Sequence, residues 1–187
     1  MNAIRTLPGK YAAGMLRAFG TSAGRHGPYP YEIARVTQPD KSATAISFGA
    51  GNSLKDAAII GWLRHTDIDP LAIDGQQIRP QDFSENRSFW PQVQHVLEKY
   101  AHEDPELQSQ AAFFKSGWMN ISDGRNPPPP GRTGDPEDIL GSVLVEDKKI
   151  KQGSFQANLA HRPVTRDGLF QLPKYLQQKL ADFLSSL

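Results

Sequence analysis

The longest wholly apolar run in the chain is Ala57-Ala58-Ile59-Ile60-Gly61-Trp62-Leu63, only seven residues. A helix that crosses a bilayer needs roughly 18 apolar residues in succession, so the sequence predicts no membrane span. Elsewhere 16 Gly and 15 Pro among 187 residues cut the pattern into short segments. That density makes turns frequent without reaching the composition of a low-complexity chain. One domain is the default at this length, long enough to bury a core. There are no cysteines. A disulfide scaffold, a thiol catalyst and a Cys-ligated zinc or Fe–S site are therefore excluded.

The formal charge of +1 argues against a nucleic-acid binder, which would carry a basic excess on one face. The charge is unevenly spread. Residues 1–31 hold Arg5, Lys10, Arg17 and Arg25 and no acid; Glu32 is the first carboxylate. Removing those four from the 21 basic residues leaves 17 against 20 acidic ones, a body of charge −3. From Pro8 to Phe19 the leader reads as an amphipathic helix. Pro suits a first helical turn, and Leu7, Tyr11, Met15 and Phe19 share one face. An acid-free, Arg-bearing amphipathic start is the pattern of a mitochondrial transit peptide. Arg17-Ala18-Phe19-Gly20-Thr21-Ser22 resembles a matrix-peptidase site, with processing near Phe19 or, after trimming, near His26. Residues 1–26 are thus expected to be a presequence and the product to reside in the mitochondrial matrix. If residues 1–31 belong to the fold, the cytoplasm is the expected address.

The remainder, residues 27–187, is expected to form a single compact α+β domain, a small mainly antiparallel sheet packed by about four helices. Strands are predicted at Glu32–Val36, Ala43–Phe48, Trp118–Ile121, Leu140–Val145 and Lys149–Phe155, with a further short one over His161–Thr165. Glu146-Asp147-Lys148 reads as the turn of a hairpin. Helices are predicted from Ser53 to about His65, from Ser84 or Asn86 to Tyr100, from Asp104 through about Phe114, and from Pro173 to Leu184. Asp104 precedes Pro105 and Glu106, an N-cap followed by a suitable first turn. Leu172, Leu176, Leu180 and Leu184 recur every fourth residue, the buried face of the last helix.

Four features carry candidate chemistry. Gly49-Ala50-Gly51-Asn52-Ser53 lies between a predicted strand and a predicted helix. Glycines there let backbone N–H groups approach a ligand, and a helix N-terminus attracts anions. Gly49, Gly51, Asn52 and Ser53 are therefore candidate anion binders, although the motif is neither a Walker loop nor a complete dinucleotide fingerprint. His65 and His161 are candidate acid/base groups, with Arg125 and Arg132 as candidate clamps for an anionic substrate. His65-Thr66-Asp67-Ile68-Asp69 has ligand spacing for a divalent ion on an extended segment, but a helix end followed by an Asp-Pro turn explains it better. No metal and no cofactor are expected. Pro127-Pro128-Pro129-Pro130-Gly131-Arg132 is polyproline II and formally matches an SH3 ligand; Arg125, Arg132 and Asp135 suggest instead a stiff loop pinned by polar contacts.

Residues 80–187 carry a further signature: Gly117-Trp118-Met119, Asp123-Gly124-Arg125-Asn126-Pro127, Gly131-Arg132, Asp135-Pro136-Glu137-Asp138-Ile139-Leu140-Gly141-Ser142-Val143, Gly153-Ser154-Phe155-Gln156 and Arg162-Pro163-Val164-Thr165. This series resembles a group of uncharacterised fungal proteins. The resemblance implies a lineage and no activity. Since no complete catalytic set assembles from sequence, the expected function is that of a small accessory or binding protein with a protein partner. The competing expectation is a small-molecule enzyme that holds an anionic substrate in the Gly49–Ser53 cradle.

Overall fold

A computed structural model describes residues 17–18, 31–37, 42–48, 55–64, 78–114, 116–129 and 132–187. It is an α+β structure with antiparallel sheets, and the chain divides into two compact units, Met1–Trp90 and Pro91–Leu187.

The first unit is built on a five-stranded antiparallel sheet in chain order: β1 (Arg17–Ala18), β2 (Tyr31–Thr37), β3 (Ser42–Phe48), β4 (Ile59–Leu63) and β5 (Phe83–Glu85). Strands β2 and β3 fall where alternation predicts them. Strand β4 does not: this segment, expected to be helical from Ser53 to His65, has one turn of 3-10 helix at Asp56–Ala58 and then five residues of strand. A strand covered on both faces has no polar side to alternate with, so its continuous apolar run resembles a buried helix. The β-branched Ile59 and Ile60 suit the pleat. Gly61 supplies the decisive fit, because a Cβ there would lie 2.3 Å from the Phe83 ring and 2.4 Å from the Ser84 carbonyl oxygen. The glycine lets β5 and its aromatic ring close over β4.

Asn86, 7% exposed, ties this sheet together. Its amide donates to the carbonyls of Asp56 at 2.7 Å and Ile59 at 2.9 Å, while its backbone N–H donates to Ile60. A helix start was expected at Ser84 or Asn86; Ser84 lies in β5 and α1 spans Trp90–Tyr100. Arg17 and Ala18, expected at the end of the leader helix, form edge strand β1 against Ala34 and Ile33. The rest of that leader lies outside the described residues.

The second unit contains most of α1, α2 (Pro105–Phe113), β6 (Gly117–Ser122), β7 (Ile139–Glu146), β8 (Lys149–Ile150), β9 (Gln156–Ala157), the β10 (Val164–Thr165) and β11 (Gly168–Leu169) hairpin, and α3 (Lys174–Ser186). Three α-helices occur among the described residues, not four, because the Ser53–His65 segment turned into β4. Asp104 caps α2 as expected: its Oδ1 accepts from Glu106 N–H at 2.8 Å and Leu107 N–H at 2.9 Å. The four leucines spaced by fours are all buried, and Phe183 stacks with His95 of α1 at 4.9 Å between ring centroids. Val93, Val96 and Leu97 are the matching buried face of α1.

Strand β7 is the spine of the second sheet, with β6 on one side and β8 and β9 on the other. Its hairpin to β8 turns at Asp147 and Lys148, whose φ of 49° and 64° are those of a type I′ turn. The strand expected through Phe155 stops at Ile150. Beyond it, Ser154 folds back so that its hydroxyl accepts from Leu144 N–H at 3.0 Å and donates to the Lys151 carbonyl at 2.6 Å.

Candidate functional site

The sequence candidates fall into three groups. Gly49, Gly51, Asn52, Ser53 and His65 lie outside the described residues, as do Asp67 and Asp69. The segment that follows the glycines is the 3-10 turn and β4, so the described residues supply no α-helix dipole for an anion cradle there. Arg132 is exposed, and among the described residues it takes no part in a side-chain cluster. Arg125 and His161, by contrast, are brought onto the same carboxylate, that of Asp123.

The cluster grows from the end of β6. Where that strand stops, Asp123 turns its side chain inward and its Oδ1 accepts from Arg125 N–H at 3.0 Å, closing an Asx turn. The same oxygen accepts from Gln171 N–H at 2.8 Å, and Gly124 N–H donates back to the Gln171 carbonyl at 2.9 Å. Asp123 Oδ2 lies 3.0 Å from His161 Nε2 and 3.5 Å from an Arg125 terminal nitrogen. His161 meets the Phe170 ring edge-on. Asp123 and His161 side chains are both 0% exposed.

Arg125 is the hub. Its Nε donates to Asp138 Oδ1 at 2.8 Å. One terminal nitrogen donates to the carbonyls of Pro163 at 3.2 Å and Gly168 at 3.1 Å. The other donates to the carbonyls of Glu137 at 3.0 Å and Arg162 at 2.7 Å. A guanidinium has five N–H donors, and every one is accounted for by these bonds. The second Asp138 oxygen accepts from Asn126 at 3.1 Å. Burying such charges is tolerable only when each is paired and hydrogen-bonded, and here each is.

The arrangement fastens three loops to one another: the Asp123–Asn126 turn, the Pro136–Asp138 turn before β7, and the Arg162–Gly168 segment around the β10–β11 hairpin. A His–Asp pair has the composition of a general acid/base couple, yet these two side chains have no exposed surface. Asp123 and Asp138 were missed as site residues. The signal was present in part, since Asp123-Gly124 follows a strand and Asp138 closes a turn, but nothing in the sequence tells which carboxylate meets Arg125. Among the described residues no group of three or more His, Asp or Glu is placed to hold a metal ion.

The surface of the second unit is different in kind. Phe113, Phe114 and Trp118 are 88%, 40% and 48% exposed at the junction of α2 and β6. Trp118 stands on the outer face of β6 opposite Leu144. No protein-family model, no curated protein and no solved structure matches this chain.

Proposed function

We propose that the chain is an accessory or binding protein of the mitochondrial matrix that lacks a complete catalytic set. The observation that supports this reading is Arg125: all five of its donors end on the chain's own acceptors, and its side chain is 1% exposed. A clamp for an anionic substrate must keep donors for that substrate. His161 is covered in the same way. What the chain offers to solvent instead is aromatic surface, with Phe113, Phe114 and Trp118 close together in sequence. Exposed apolar surface can serve as an interaction site, and these three rings are the surface proposed for it.

The matrix address rests on the acid-free, Arg-bearing leader. Processing near Phe19 or His26 would remove β1, a two-residue edge strand, and leave β2 as the edge of its sheet.

The test is affinity purification of the tagged full chain from isolated mitochondria, with metabolite profiling of the bound fraction. A protein retained in stoichiometric amount, and lost on Trp118→Ala with Phe113→Ala, supports the reading. A stoichiometric anionic metabolite in the fraction bound to the wild-type chain contradicts it.

A further inference from the structure

We propose that two copies of this chain pair antiparallel through the outer edge of β6, in a register centred on Met119. This inference goes beyond the binding-protein reading: it rests on the backbone of β6, and shares Phe114 and Trp118 with the aromatic surface proposed above.

The backbone directions follow from the bonds on the far side of β7. The Leu144 carbonyl accepts from Lys151 N–H at 2.8 Å, Leu144 N–H donates to Ser154, and the Leu140 carbonyl accepts from Asn158 N–H. Leu140 and Leu144 therefore direct their backbone groups away from β6. Antiparallel pairs alternate between hydrogen-bonded and non-hydrogen-bonded, so Trp118 opposite Leu144 and Asn120 opposite Ser142 are non-bonded pairs. The N–H and C=O groups of Trp118 and Asn120 consequently point out of the sheet. Gly117, Met119 and Ile121 make the bonds to β7. A register shift between Ile121 and Ser122 ends the regular edge.

Sheet edges are normally blunted by short strands, charge or proline. The opposite side of this sheet is blunted in that way, since β8 and β9 have two residues each and Lys149 and Lys151 flank Ile150. Strand β6 has six residues, Gly-Trp-Met-Asn-Ile-Ser, with neither charge nor proline. Two copies can approach there without like charges meeting. Phe114, whose ring lies against Gly117, and Trp118 flank the edge and are 40% and 48% exposed.

Self-pairing fits one register. With Met119 opposite Met119 of a second copy, Trp118 faces Asn120 on both sides of the two-fold axis. Each of those two pairs exchanges both backbone bonds, so all the outward groups of both copies are satisfied. A register centred on Trp118 pairs Asn120 beyond the start of the strand, and one centred on Asn120 pairs Trp118 beyond the bulge. The contact is isologous and closed.

Sedimentation of the full chain over a concentration series tests the proposal, with Asn120→Pro and Asn120→Lys as variants. Proline at 120 removes an outward N–H and the side-chain oxygen that accepts from Ser142 Oγ at 2.8 Å, and leaves the β6–β7 backbone ladder in place; lysine at 120 places like charges on an edge. Wild type is expected to pass from 20.7 kDa to twice that mass as concentration rises. Dissociation constants at least tenfold weaker are expected for both variants, with unchanged circular dichroism. Should Asn120→Pro not fold, Asn120→Lys and a cross-linking test decide. The chain has no native cysteine, and opposed residues of a bonded pair lie about 5.5 Å apart between Cα atoms, within disulfide reach. Oxidising a mixture of Trp118→Cys and Asn120→Cys chains should give at least tenfold more covalent dimer than either alone. A wild type monomeric up to about 1 mM overturns the proposal and leaves the edge to a strand of another protein. A dimer indifferent to both Asn120 substitutions, or no excess cross-link in the mixture, overturns it equally.

Discussion

Arg125 Nε donates to Asp138 Oδ1 across 2.8 Å, although the two lie thirteen positions apart in the chain. Between the two lies the loop containing Pro127–Pro129, which this contact, with that of Asn126 to the other Asp138 oxygen, fastens at the start of β7. The remaining donors of Arg125 reach the Glu137, Arg162, Pro163 and Gly168 carbonyls, and the backbone of two more segments depends on it. Replacement of Arg125 by Lys keeps the charge, but an ammonium has three donors and no planar fork. Breaking a buried pair typically costs about 3–5 kcal/mol, and we expect Arg125→Lys to lose an amount of that order. Urea unfolding of the second unit, followed by far-ultraviolet circular dichroism, measures it. A loss below about 1 kcal/mol would show that the fork is not holding the loops.

Two glycines sit under aromatic rings in corresponding ways. At Gly61 a Cβ would meet the Phe83 ring at 2.3 Å and the Ser84 carbonyl at 2.4 Å; at Gly141 it would meet the Phe155 ring at 2.4 Å and the Gln156 carbonyl at 2.5 Å. Overpacking of this kind costs about 1–3 kcal/mol. Gly61→Ala and Gly141→Ala should both destabilise by at least that much, since a backbone oxygen cannot rotate away. Trimming the ring with Phe83→Leu should recover only part of the Gly61→Ala loss, as read from the denaturation midpoint.

Tyr175 offers a pH test. Its hydroxyl donates to Glu103 Oε2 at 2.6 Å. That bond to a carboxylate, with a smaller contribution from desolvation, raises the phenol above its usual 10.0, against a weaker opposing effect of Lys179. A raised value in the folded chain means that the contact is complete below pH 10 and is lost as pH climbs through the folded-state value. Phenolate absorbance during alkaline titration should therefore show one tyrosine ionising late. Glu103→Gln should bring it down, and a Tyr175 indifferent to that change would sink the assignment.

Residues 1–31 fused to a fluorescent protein should enter mitochondria, and Arg5, Lys10, Arg17 and Arg25 changed together to Gln should abolish entry. A fusion that stays cytosolic contradicts the proposed address.

Elements with a wet face were legible in the sequence. The leucines from Leu172 to Leu184, the Asp104-Pro105 helix start and the Asp147-Lys148 turn each combine a local pattern with a local cause. Strand β4 was illegible as a strand because both its faces are covered, and because its fit depends on Phe83, which lies twenty-two residues beyond Gly61. The site divides along the same line. Arg125 and His161 were identifiable as unusual by residue type and position. Their shared partner Asp123, 38 residues from His161, and the carbonyls around Arg125 are products of tertiary folding. The sequence could name a cation without showing that its donors were already spent.

Side-chain nuclear magnetic resonance tests directly whether the Arg125 donors are spent inside the fold. The Arg125 Nε–H should exchange with water far more slowly than that of exposed Arg132, and its signal should stay fixed as phosphate and small carboxylates are titrated in. An Arg125 signal that exchanges as fast as Arg132 and shifts saturably with one of those anions would contradict the reading of Arg125 as an internal fastener.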